Sequence, residues 1–135
     1  MNIGPSADGY LFLGIADKPK DAERIKELDG IEPVTFKHVQ TVGIDREAKV
    51  LGVQLDRYIR KLEDAISNSG MLDPLKTQIL SSMDVMTFKG QSVLRVRIPK
   101  QTTVSFVKDV CFIRNGTGTH TATGPQIAAV TKLFM

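Results

Sequence analysis

A chain of 135 residues, 41% hydrophobic and 24% charged, fits one globular domain over residues 1–135, because two independent cores of half that size would each be marginal. No run approaches the ~18 consecutive apolar residues of a membrane span, Met1 to Asp8 lacks the basic and apolar regions of a secretory leader, and the single cysteine, Cys111, excludes an internal disulfide. A cytoplasmic location with no membrane partner is therefore expected, and the net charge of +3 is unevenly spread: residues 1–80 carry 11 Lys/Arg against 13 Asp/Glu, residues 81–135 carry 7 against 2.

In chain order, the loop Asn2–Gly9 leads into Tyr10–Ala16, a short apolar run that predicts a buried strand. Asp17 followed by Pro19 is a helix-start signal; Ala22, Ile25 and Leu28 then make a narrow apolar stripe that ends at Gly30. Val34–Ile44 reads as an exposed or irregular strand running into a charged loop, Asp45–Lys49. Leu55, Ile59, Leu62 and Ile66 recur at helical spacing, and the other faces carry Asp56, Arg57, Arg60, Lys61, Glu63 and Asp64, a solvated surface. Asn68–Gly70 closes this helix, and the pattern turns to β from Ile79 onward.

Asp84–Phe88 and Leu94–Ile98 predict a hairpin around Lys89-Gly90, with Arg95 and Arg97 on the face opposite Leu94, Val96 and Ile98. Val104–Val107 and Val110–Arg114 suggest a second pair around Lys108-Asp109, with Cys111 buried in it. Asn115–Gly124 reads as a Gly/Thr-rich loop, and Thr123-x-x-Gln126 around Pro125 starts a last helix carrying Ile127, Val130 and Phe134. The fold class expected is α/β in the wider α+β sense: a mixed or mainly antiparallel sheet packed with about three helices.

Enzyme signatures are missing. His38 and His120 are too far apart for a local zinc motif, no Gly-x-Ser-x-Gly turn occurs, and Gly116–Gly124 lacks the Lys-Ser/Thr of a Walker loop. No catalytic residue and no cofactor is therefore assigned. The same loop can offer backbone N–H groups and the hydroxyls of Thr117, Thr119 and Thr121 to an anion, next to the guanidinium of Arg114; an ordinary strand-to-helix connection is the competing reading. Asp17 stands at a strand end, where a carboxylate can ligate Mg²⁺ or cap a helix. Phe88, Phe106 and Phe112 are expected in the core, which leaves no set of stacking aromatics on the basic strands.

Several segments in order resemble the Schlafen AlbA-type domain family, once grouped with divergent AAA proteins. Asn2 with Gly9-Tyr-Leu-Phe-Leu-Gly-Ile-Ala-Asp17 resembles its Phe-Ala-Asn, Gly-Gly and Ile-Gly-Val-Asp-Asp region, with Ala16 in place of the first Asp. Val50-Leu-Gly-Val53 resembles its turn before the central helix, and Val93–Pro99 its Val-x-Val-Pro strand. Phe112-Ile-Arg-Asn-Gly116 with Thr117 and Thr119 is similar to its aromatic-x-Arg-x-Gly-Ser/Thr signature. The resemblance implies a bacterial, regulator-type DNA-binding domain. In nuclease members, glutamates of an earlier segment join the later Asp on a metal, and that segment has no counterpart here, so the chain reads as a fragment of a larger protein that is not itself an enzyme.

The function expected is nucleic-acid binding through backbone phosphates, by Arg95, Arg97, Lys100, Lys108 and Arg114 with Thr117 and Thr119 assisting. The alternatives are half of a metal-dependent nuclease site built on Asp17, or an ATP-binding or structural interaction domain. A homo-oligomer is the other partner expected, through apolar surface or a strand edge left open by the missing segment.

Overall fold

The computed structural model describes residues 5–135; Asn2, part of the resemblance above, lies outside them. The described residues form an α+β fold of five α-helices and eight strands, against about three helices expected, and the strands make three small sheets. The chain divides into two compact units, between which it crosses four times. The terminal unit holds the described residues up to Tyr10 with Glu63–Ser82 and Arg97–Met135; the inner unit holds Leu11–Leu62 and Met83–Val96. This interleaving dissolves the charge asymmetry along the sequence: the terminal unit carries 6 Lys/Arg against 5 Asp/Glu and the inner unit 12 against 10.

The expected single strand Tyr10–Ala16 is two strands, β1 (Gly9–Leu13) and β2 (Ile15–Ala16), broken at Gly14, where φ is +100°. A side chain disfavours that backbone angle, so glycine lets the chain leave one sheet and enter another. β1 joins β5 (Met83–Phe88) and β6 (Gln91–Ile98) in the order β1-β6-β5; β2 joins β3 (Val34–Phe36) and β4 (Val39–Thr41) in the order β2-β4-β3. The β5–β6 hairpin turns at Lys89-Gly90 as expected, with Phe88 opposite Gln91 and positive φ at both turn residues. The expected irregular strand Val34–Ile44 is a second hairpin, β3–β4, turning at Lys37-His38 with Phe36 opposite Val39.

The expected charged loop Asp45–Lys49 is helix α2 (Asp45–Val50), preceded by the fully buried Ile44 and holding the buried Ala48. The start of α2 is tied to β6. Ile44 N–H donates to Ser92 O at 2.9 Å, while the Asp45 carboxylate accepts the Ser92 N–H at 2.7 Å and its hydroxyl at 2.9 Å. The Gly14 carbonyl accepts the N–H groups of Val42 and Gly43, both at 2.9 Å, and a Cβ on Gly14 would lie 3.0 Å from Ser92 O.

Helix α1 (Pro19–Asp29) begins at Pro19 and ends at Gly30, whose N–H donates to Lys26 O at 2.9 Å. Asp17 does not cap it: Lys18 holds the cap position, with no side-chain bond. The stripe Ala22, Ile25, Leu28 covers little, since Ala22 is buried but Leu28 is 70% exposed. Helix α3 (Leu55–Ser67) forms as its periodicity demands, yet the residue it buries is Tyr58. The Tyr58 hydroxyl donates to Glu47, and Arg46 pairs with Glu47 at 3.4 Å and with Asp29 at 3.0 Å, so one polar chain links α1, α2 and α3. Burial, with the Glu47 carboxylate beside it, pushes the Tyr58 phenol up to about 12.

In the terminal unit, α4 (Leu75–Leu80) stands where no helix is expected and buries Leu75 and Ile79. Its signal is Asp73-Pro74: Asp73 Oδ1 accepts the Thr77 N–H at 3.1 Å and its hydroxyl at 2.6 Å. The expected Lys108-Asp109 turn forms, with Val107 and Val110 exchanging bonds of 2.9 and 3.0 Å, but Val104–Phe106 is not a strand. β7 (Phe112–Asn115) pairs instead with β8 (Gly118–Thr121). Helix α5 (Gly124–Thr131) opens with the expected capping box, Gln126 Oε1 accepting the Thr123 N–H at 2.9 Å, and runs into a short 3-10 turn, Lys132–Phe134. Among the described residues no helix is long and apolar enough to cross a membrane.

Gly14→Ala tests the strand break against Gly30→Ala, a glycine with φ +68° and open space around it. Denaturant unfolding should give a loss of about 1–2 kcal/mol for Gly30→Ala from φ alone, and a further ~1–3 kcal/mol for Gly14→Ala from crowding against Ser92 and Gly43. Equal losses would mean that the junction yields to an added methyl group.

Candidate nucleic-acid interface

The Gly/Thr segment expected as a loop, for which anion binding is one of two readings, is mostly the β7–β8 hairpin, and this changes what it can do. Asn115 pairs with Gly118 around Gly116-Thr117, and Gly116 has φ +59°, as a two-residue hairpin turn with glycine first requires. The pairing directs backbone groups of Gly118–Thr121 into the ladder rather than toward a ligand, so a backbone anion cradle is not what this segment builds. Side chains take its place. Phe112 lies opposite Thr121 and Arg114 opposite Thr119, so these four share one face, while Ile113 on the other face is buried. Phe112, expected in the core, is thus on the exposed face; Phe88 and Phe106 are half-buried.

Arg114 Nε donates to the Gly116 carbonyl at 3.2 Å, which steadies the guanidinium along its own hairpin. Residues 112–121 contain no Asp or Glu, so the face carries a cation, two threonine hydroxyls and an aromatic ring with no local carboxylate. Thr117 sits at the exposed hairpin tip. The structure therefore brings Arg114 and Thr119 together, with Thr117 beside them in the turn.

The other expected cations divide into engaged and open. Arg95 is paired with Asp84 at 2.6 Å, across the β5–β6 ladder. Arg97 holds Asp8 through Nε at 2.9 Å, and the second Asp8 oxygen accepts the Lys100 N–H at 2.8 Å. Both arginines thus serve internal carboxylates, which reduces what they offer a phosphate. Lys108 has its N–H on Gly70 O at 3.2 Å and its stem so close over Gly70 that a Cβ there would lie 2.4 Å from the Lys108 Cγ. Its backbone and methylenes thus meet Gly70, while the residue as a whole is exposed. Lys100 borders a cleft of about 120 Å³ together with Gln78, Thr102, Thr103 and Ser105, a set of hydroxyl and amide groups without a carboxylate.

Asp17 is exposed, and among the described residues no group of three or more His, Cys, Asp or Glu side chains is placed to hold a metal ion. The two-threonine face was legible in principle: Gly116-Thr117, between the strand formers Phe112-Ile113 and Thr119–Thr121, fits a two-residue hairpin turn with glycine first. The Lys100 cleft depends on α4 and had no comparable signal. Nor did Lys49 and Arg57, which with Gln54 line an open concavity of about 410 Å³ in the inner unit. Comparison with known proteins finds no matching family model, curated protein or solved structure.

The Lys100 N–H, first, and then the Arg97 guanidinium hold the Asp8 carboxyl below its ordinary value of 3.8. A carboxyl lowered on folding contributes stability above its unfolded value, and that contribution is lost as pH falls through the folded one. Asp8→Asn should therefore unfold at a lower temperature than the parent at neutral pH, with the gap closing as pH drops below about 3.8. A gap independent of pH would remove the ion pair as its cause.

Proposed function

We propose that the chain is a nucleic-acid-binding module that holds the phosphate backbone through the outward face of β7–β8, Arg114 with Thr119 and Thr121, extended by Lys100 and Lys108. The observation that carries this reading is a cation and hydroxyls aligned on one exposed hairpin face that has no acid of its own. A guanidinium there can bind a phosphate bidentately, and hydroxyls add donors. Such contacts position a backbone and read no sequence. The resemblance to the Schlafen AlbA-type family points to the same partner and lends Arg114, Thr117 and Thr119 the place of that family's signature; membership in the family is part of the proposal.

The pairing pattern separates two classes of arginine. Arg114→Ala should weaken duplex binding at low salt and lower the slope of log affinity against log salt by about 1, with little change in unfolding midpoint. Arg97→Ala should do the reverse, lowering the midpoint by freeing Asp8 while leaving affinity near that of the parent. Fluorescence anisotropy across a salt series, with thermal unfolding of the same samples, reads both. No duplex binding by the parent at low salt, or an Arg114→Ala variant that binds as the parent does, would sink the proposal.

A further inference from the structure

In the inner unit, Lys37 and Lys89 occupy the tips of the β3–β4 and β5–β6 hairpins with φ of +54° and +46°. That region is unfavourable for any residue with a Cβ and free for glycine, so each turn carries a lysine against its backbone preference. Each ammonium lies 5.7 Å from the ring centroid of the preceding phenylalanine, Phe36 or Phe88, and the two rings meet edge-on at 6.2 Å. Beside them is a cleft of about 340 Å³, lined by Phe12, Ile15, Phe36, Met86, Phe88 and Val93 among others. It is open and apolar: Phe36 is 57% exposed and Phe12 43%.

The segments that build this cleft carry charge of one sign. Segments 11–16, 34–41 and 85–94, which build it, contain Lys37, Lys89 and His38 and no Asp or Glu. The fitting partner thus has flat apolar groups and regularly placed negative charge. We propose that this cleft binds single-stranded nucleic acid, with unpaired bases stacking on the exposed phenylalanines and adjoining phosphates meeting Lys37 and Lys89. Stacking on aromatics along a cationic groove is how strands are held without sequence readout. A second copy of the chain fits worse, since a two-fold contact would gather four lysines on one rim with no acid in these segments to answer them. The inference rests on the nucleic-acid reading above and adds a strand class and a separate surface to it.

The turn geometry supplies a clean test. Lys37→Gly with Lys89→Gly places glycine where the backbone favours it, so the double variant should unfold at the parent's midpoint or above it. In anisotropy with a fluorescein-labelled oligo(dT), it should lose about tenfold or more in affinity at low salt, and Phe36→Ala about fivefold or more. Duplex binding should be unchanged in both. A folded double variant that binds oligo(dT) as the parent does would overturn the inference, as would a parent that binds duplex in an Arg114-dependent way but no oligo(dT). In that last case the β7–β8 reading stands alone. Sedimentation of parent and Phe36→Ala would overturn it too, if the parent self-associates, the variant does not, and oligo(dT) affinity is the same for both.

Discussion

The inner unit depends on one polar junction, where Gly14, Gly43, Asp45 and Ser92 meet. Gly14 ends one strand and gives its carbonyl to Val42 and Gly43, Ile44 donates to Ser92, and Asp45 returns two bonds to the same serine. Two sheets and the start of α2 are thereby fixed through backbone groups that would otherwise be left unpaired at a strand break. The contact needs glycine at position 14 for its φ of +100° and for the close approach of Ser92 O. Val42, Ile44, Val93 and Leu94, which flank it along the chain, are buried, so apolar burial and the polar clamp act on the same stretches of chain.

Pairing engages several of the cations that the sequence offers. Asp84 and Asp8 engage Arg95 and Arg97, and Arg46 is shared between Asp29 and Glu47. The cations that the two proposed surfaces use are Lys100 and a set on hairpins: Arg114 on β7, with Lys37, Lys89 and Lys108 at turn tips. A hairpin tip projects a side chain away from the ladder that orders it, which suits contact with an extended polyanion. Three of these tips place lysine at positive φ, an arrangement that holds position at the expense of backbone comfort.

The local elements were readable because they rest on short-range rules. Helix α3 followed from its periodicity, the β5–β6 and Lys108-Asp109 turns from their residue types, and the last helix from its capping box. Other segments misled for equally local reasons. Asp45–Val50 is rich in charge and looked like a loop, but Ile44 and Ala48 are buried and make it a helix; Asp17 resembled a cap, but Lys18 takes that position. The hairpin β7–β8 competed with a pairing across Lys108-Asp109, and strand partners are set by neighbours far along the chain.

For the candidate sites, the sequence alone determined which residues could contact phosphate, since charge and hydroxyl chemistry belong to residue type, and it determined the α+β class through its alternation of patterns. Which of those residues are open was decided only by tertiary structure. Arg97 meets Asp8 from the other end of the chain, and no local pattern announces a pair separated by so many residues. Likewise the exposure of Phe36 and Phe12 beside Lys37 and Lys89 arises when strands from three separate segments converge. Side-chain chemistry is written residue by residue, whereas exposure and pairing depend on contacts that exist only once distant segments are packed.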